Sequence, residues 1–184
     1  MKQSYRMPRV FSAFAIVVGS MFFGISAGWA QQKQLIKFEA PAANTKYTQQ
    51  HAIAVGDVEG HEVRIFETVR TFPKSPLVFG GVQVKEWWTR GYADYTEVSG
   101  PGTAYHTLIM ENGDKIYIRT NYVAQGAVSK DGLKKGANNL VSGPITGGTG
   151  KFLGIRGLMK FAATFDHDSG SNESKGEFEY WIEK

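Results

Sequence analysis

Residues 145–157 read Ile145-Thr146-Gly147-Gly148-Thr149-Gly150-Lys151-Phe152-Leu153-Gly154-Ile155-Arg156-Gly157, and they carry the tightest constraints in the chain. Five glycines fall within eleven residues, so the backbone must turn, approach a neighbour closely and resume an extended path. A flexible linker would not place Phe152, Leu153 and Ile155 in the same span. Residues 155–166 return to strand-like composition, which makes the glycine stretch a tight crossing between two strands.

A glycine-rich loop followed by Lys151 also raises the question of a phosphate cradle. The spacing does not support one. A P-loop ends in Gly-Lys-Ser/Thr, whereas Lys151 precedes Phe152, and the dinucleotide fingerprint needs a helix where this chain continues into a strand.

The pattern Gly147-Gly148-Thr149-Gly150-Lys151-Phe152, with Gly154-Ile155-Arg156-Gly157 and a strand after it, resembles the signature of the dirigent and allene oxide cyclase-like barrels, a calycin-type superfamily. Its place near the C-terminus, with one further hairpin behind it, adds to the likeness. Ala54-Val55-Gly56-Asp57-Val58-Glu59-Gly60-His61 is a second, weaker point of similarity. The resemblance implies an eight-stranded antiparallel barrel with a central apolar cavity, assembled as a homo-oligomer, often a trimer. It also implies one of two chemistries: a cyclase that uses a cavity acid and ordered water, or a dirigent protein that orients radicals without making the bond itself. Arg156 falls on the motif's own arginine and is read as structural, together with Gly147, Gly148, Gly150, Phe152 and Gly157.

At the other end of the chain Lys2, Arg6 and Arg9 precede an uncharged apolar run over residues 10–25, with Gly28 and Ala30 where a signal peptidase reads. The run is short of the ~20 residues that a membrane span needs. Residues 1–30 are therefore expected to be a secretory signal that leaves no stable span after cleavage, and the protein to be secreted or periplasmic. The aromatic residues Phe22, Phe23 and Trp29 leave an uncleaved anchor as the alternative. Cleavage would remove three cations and no acid, taking the formal charge from +4 to about +1. No basic stripe remains for phosphate neutralisation, so nucleic acid is not an expected partner. The absence of cysteine excludes thiol nucleophiles and Cys-ligated metals, and a mature domain of about 150 residues can bury enough surface to stand without disulfides.

Past an arm or first strand over residues 31–46, residues 47–184 read as one β-barrel domain. Residues 47–58 and 62–72 are strands around a turn at 59–61. In the second, Val63, Ile65 and Glu67 share one face while Arg64, Phe66 and Thr68 share the other. Residues 104–111 and 115–124 form a hairpin. A two-residue Asn112-Gly113 turn would oppose Glu111 and Asp114, so a three-residue loop with left-handed Gly113 is preferred. That register puts Leu108, Met110, Ile116 and Ile118 on one face with His106, Thr120 and Tyr122. Residues 125–141, rich in Gly, Lys, Asn and Ser, are expected to be a surface loop or lid, with Lys130, Lys134 and Lys135 as its solvated face. The last hairpin pairs residues 155–166 with 175–183. Regular strands without a helical segment argue for an all-β barrel or sandwich.

Residues 82–98 form the longest extended run, and period two places Val82, Val84, Glu86, Trp88, Arg90, Tyr92, Asp94, Thr96 and Val98 on one face. Pointed into a barrel, Glu86, Arg90 and Asp94 would be a polar constellation in an apolar cavity, where a carboxylate with a raised pKa can move a proton and an arginine can hold an anionic or phenolic oxygen. A bulge at Gly91 would instead swap the faces and dissolve it, and a structural salt-bridge network accounts for the same residues. The candidate catalytic set is Glu86, Arg90 and Asp94; the candidate ligand-binding set is Trp88, Tyr92, His106 and Tyr122. His51, His61, His106 and His167 have no metal-ligand spacing, no Gly-x-Ser-x-Gly elbow is present, and no cofactor is expected. Two functions follow from the sequence: a secreted barrel that encloses a small apolar or aromatic molecule, or a cyclase or isomerase using a cavity acid. A non-catalytic structural or surface-interaction protein is the third.

Overall fold

The computed structural model describes residues 32–128, 134–166 and 169–183. The expected signal over residues 1–30, Lys130 and His167 lie outside the described residues. The described chain is all-β: β1 Gln34–Ala40, β2 Thr45–Ala54, β3 His61–Arg70, β4 Val78–Phe79, β5 Val82–Thr96, β6 Gly100–Met110, β7 Lys115–Val128, β8 Lys134–Gly148, β9 Ile155–Asp166 and β10 Asn172–Ile182. Every pairing is antiparallel, in the order β1-β10-β9-β8-β7-β6-β5-β3-β2, with β4 as a short addition on β5.

The expected closed eight-stranded barrel is therefore corrected to a ten-stranded sheet whose edge strands, β1 and β2, share no ladder. The chain passes between those edges through a single 3-10 turn, Ala42–Asn44, entered from Pro41. The sheet nonetheless coils on itself. Trp87 of β5 is 0% exposed and meets Phe38 of β1 at 5.1 Å, Phe161 of β9 at 5.8 Å and Phe178 of β10 at 5.7 Å between ring centroids. Rings on strands so far apart in the ladder can touch only if one face is wrapped inside. Full burial of each such side chain stabilises the fold by roughly 1.5–3 kcal/mol, and the edge-to-face contacts add to it.

The glycine stretch is the turn from β8 to β9, with a 3-10 turn at Gly150–Phe152 that drives Phe152 fully into the core. Gly150 sits at φ +51°, and a Cβ there would collide with the Asp114 carboxylate. That carboxylate accepts the Lys151 backbone N–H at 3.0 Å, while Lys151 Nζ donates to the Gly80 carbonyl at 2.6 Å. The loop's donors thus serve the fold, and Arg156 Nε pairs with Glu183 at 3.1 Å.

Two further expectations change. The described residues of the span 125–141 are strand, not loop: β7 extends to Val128 and β8 begins at Lys134, with Gln125 opposite Asn138 and Ala124 opposite Asn139. The ladder there is made of backbone bonds, and small buried residues such as Ala124 and Ala137 satisfy its inner face, so a polar composition conceals a strand. The second change concerns β5. Val84 pairs with Met110 and Glu86 with Ile109, leaving Lys85 as an extra residue in a bulge. Inward positions therefore switch from Val84 to Trp87, Thr89, Ala93 and Tyr95.

Candidate binding site

The bulge at Lys85 turns Glu86, Arg90 and Asp94 to the outer face, and they do not converge. Glu86 accepts the Trp88 indole N–H at 2.8 Å. Arg90 pairs with Glu67 at 2.7 Å and lies over the Trp88 ring. Asp94 accepts from His61 Nε2 at 2.8 Å, while His61 Nδ1 contacts Asp57 at 2.5 Å. The hydrogen bonds to Asp94 and then Asp57 hold the His61 pKa above its ordinary value. Trp88 and Tyr92 also face outward, with Tyr92 exposed.

His106 and Tyr122 do point inward, as the hairpin register requires. The loop is the three-residue form: Gly113 has φ +85° and its N–H bonds the Met110 carbonyl at 3.0 Å. His106 is a buried connector. Its Nδ1 accepts from Trp87 Nε1 at 3.0 Å and faces the Thr89 hydroxyl at 3.0 Å, which leaves Nε2 to donate to Thr120 Oγ1 at 2.8 Å. Burial, reinforced by the charge of Arg70, pushes its pKa down to about 3, so the ring is neutral.

Tyr122 lines an interior pocket of about 80 Å³ together with Tyr47, Phe66, Tyr95, Phe161 and Phe165. These six rings come from β2, β3, β5, β7 and β9. The polar part of the lining includes Arg64, Arg70, Asn139, Asp166 and Asn172. Arg70 closes β3 on the same inward face as Phe66 and Thr68. It is 4% exposed, donates from Nη1 to Thr68 Oγ1 at 3.2 Å and Thr89 Oγ1 at 3.0 Å, and donates from Nη2 to Asn172 Oδ1 at 3.2 Å. Its guanidinium also lies 5.3 Å from the Trp87 ring centroid. Burial lowers its pKa to about 10, which still leaves it charged at neutral pH. Asn172 Nδ2 completes the chain by donating to Tyr47 Oη at 2.8 Å. Burial raises the pKa of Tyr47, Tyr95 and Tyr122, so all three phenols stay protonated.

Arg70, Asn172, Tyr47, Phe66 and Tyr95 were not among the sequence candidates. The available signal was the face of β3 that alternates Arg64, Phe66, Thr68 and Arg70, two cations on a side that also carries an aromatic ring.

A second, larger depression of about 1350 Å³ lies on the outer face. Tyr92, Thr103, Asn121, Ser142 and Lys160 cross it in direct register. Val123 and Leu140, paired one row away, are 62% and 74% exposed. Among the described residues no group of three or more His, Asp or Glu side chains converges as metal ligands, and no helix is long and apolar enough to cross a membrane. No family model matches the chain, and a search of curated proteins finds no match.

Proposed function

We propose that this chain is an exported binding protein that takes a small aromatic or apolar molecule into the pocket beneath Tyr47, Phe66, Tyr95 and Tyr122, without turning it over. The observation that carries this reading is the ring of six aromatic side chains around one opening. Ligand sites are commonly about 300–1,000 Å³ with apolar walls and a few placed polar groups. A pocket of about 80 Å³ is smaller, so it receives one end of the ligand while the remainder rests in the mouth. Membership of the dirigent and allene oxide cyclase-like superfamily, which residues 145–157 suggest, agrees with a barrel-like binder. The cyclase or isomerase alternative loses support because Glu86, Arg90 and Asp94 each engage a separate outward partner.

The exposed outer row at Val123 and Leu140 favours a second reading, a surface for protein contact, with a homo-oligomer as the form the resemblance suggests. Native mass spectrometry of protein purified from cells that export the full-length chain tests both. A co-purifying small molecule supports the binder. A bare chain in a defined oligomer, with no small molecule retained and none bound on addition, supports the surface reading.

A further inference from the structure

We infer that the interior pocket holds its ligand by an anionic oxygen group, a carboxylate on an aromatic or apolar body, bound by the guanidinium of Arg70. The inference rests on the reading of this pocket as a binding site.

Arg70 stands apart from the other described arginines. Arg64 pairs with Glu62 at 2.7 Å, Arg90 with Glu67 at 2.7 Å and Arg156 with Glu183 at 3.1 Å, while the exposed Arg119 lies over the Tyr105 ring. Arg70 is the buried member of the group, and no carboxylate among the described residues lies within ion-pair distance of it. A buried charge is normally paired, because desolvation without a counter-charge is expensive. Here its partners are two hydroxyls, an amide oxygen and the face of Trp87.

The geometry of what remains matches a carboxylate. A guanidinium has five N–H donors, of which three are engaged by Thr68, Thr89 and Asn172. Nε is buried with no partner. Nε and Nη2 are neighbouring donors of the planar fork, the kind of edge that takes two carboxylate oxygens. Tyr47 Oη accepts from Asn172, which leaves its own O–H proton to donate, and Tyr47 lines the same pocket as Arg70.

Of the charged side chains that line the pocket, Arg64 pairs with Glu62, and the Asp166 carboxylate accepts from the Ser169 backbone N–H at 2.7 Å and its hydroxyl at 2.8 Å. Arg70 is the lining cation with no carboxylate within ion-pair distance among the described residues. Aromatic walls select against a fully hydrated inorganic anion, and this favours a carboxylate carried on a ring or chain over free phosphate.

The test uses the full-length chain and three probes: sodium benzoate, benzamide and inorganic phosphate. Calorimetry gives the affinities, and the arginine Nε–H region of a ¹⁵N-correlated NMR spectrum reads the contact directly. Benzoate is expected to bind at least tenfold more tightly than benzamide and to shift the Arg70 Nε–H resonance. In Arg70→Met and Arg70→Lys, folded by NMR dispersion, the preference for benzoate should collapse to less than threefold. Equal binding of benzoate and benzamide to the wild-type chain overturns the anion assignment and leaves the pocket reading intact. Binding of neither removes both. A shift of Arg70 by phosphate but not by benzoate overturns the carboxylate class. If the variants do not fold, the wild-type comparison and the Nε–H resonance decide the matter alone.

Discussion

Arg70 Nη2 donates to Asn172 Oδ1 at 3.2 Å, and this bond joins β3 to β10, strands that stand next to opposite ends of the sheet. With Asn172 Nδ2 donating to Tyr47 on β2, side chains lace a seam that no backbone ladder closes. Removing the amide leaves a buried cation short of an acceptor, and hydrogen bonds to charged groups contribute about 1.5–3 kcal/mol. Asn172→Ala should therefore lower stability by about 2 kcal/mol in urea denaturation. It should also raise hydrogen-exchange rates in β2 and β10 more than in β6 and β7. A loss shared equally among these strands would mean that the seam is not held here.

His106 makes acid a specific stress. Its folded-state pKa is about 3 against 6.5 for the free side chain, so the unfolded chain binds the proton across that window and the folded chain does not. Stability falls as pH falls from about 6.5 to 3, by roughly 4 kcal/mol from this residue. Denaturant titrations of the wild type and His106→Gln against pH should show the two curves converging as the pH drops. Parallel curves would contradict the buried neutral ring.

The β5–β6 hairpin turns through Glu97 and Val98 at φ +49° and +60°, with Thr96 and Ser99 exchanging backbone bonds at 2.8 and 3.0 Å. A β-branched residue is costly in the left-handed region, which two-residue hairpin turns normally fill with Gly or Asn. Val98→Gly should raise stability by about 1 kcal/mol and increase Tm. A decrease in Tm would show that Val98 contributes contacts that outweigh the strain.

Asp94 belongs to an outer ion pair, so its replacement should act on His61 and leave the pocket alone. The raised pKa of His61 gives a stabilisation that is present below the ordinary histidine value and is lost as pH rises through the folded value. In an NMR titration, Asp94→Asn should bring the His61 pKa down towards its ordinary value. Ligand affinity should be unchanged. Loss of binding in this variant would return Asp94 to the site.

Much of the architecture is legible in local chemistry. Gly113 and the Glu111–Asp114 repulsion select a three-residue loop, and that loop sets the register that carries His106 and Tyr122 inward. Within residues 145–157, Gly150 marks the strand crossing because only a residue without Cβ fits against the Asp114 carboxylate there, and Gly148, Gly154 and Gly157 each lie against a neighbouring backbone carbonyl. The bulge at Lys85 has no such marker. It sits in an ordinary Val-Lys-Glu run, yet a single inserted residue sends Glu86, Arg90 and Asp94 to the opposite face. The segment around Ala124 and Ala137 lacks the large apolar alternation of a strand because its inner face is packed with small residues. Arg70 and Asn172 lie 102 residues apart, and their meeting depends on how far the sheet coils, which no local pattern encodes.

The most direct measurement is a map of backbone amide shift changes as the full-length chain is titrated with benzoate. Changes should cluster at Tyr47, Phe66, Arg70, Asn139 and Asn172, which line the interior pocket. Changes clustered instead at Thr103, Val123, Leu140 and Ser142, or the absence of any saturable change, would contradict it.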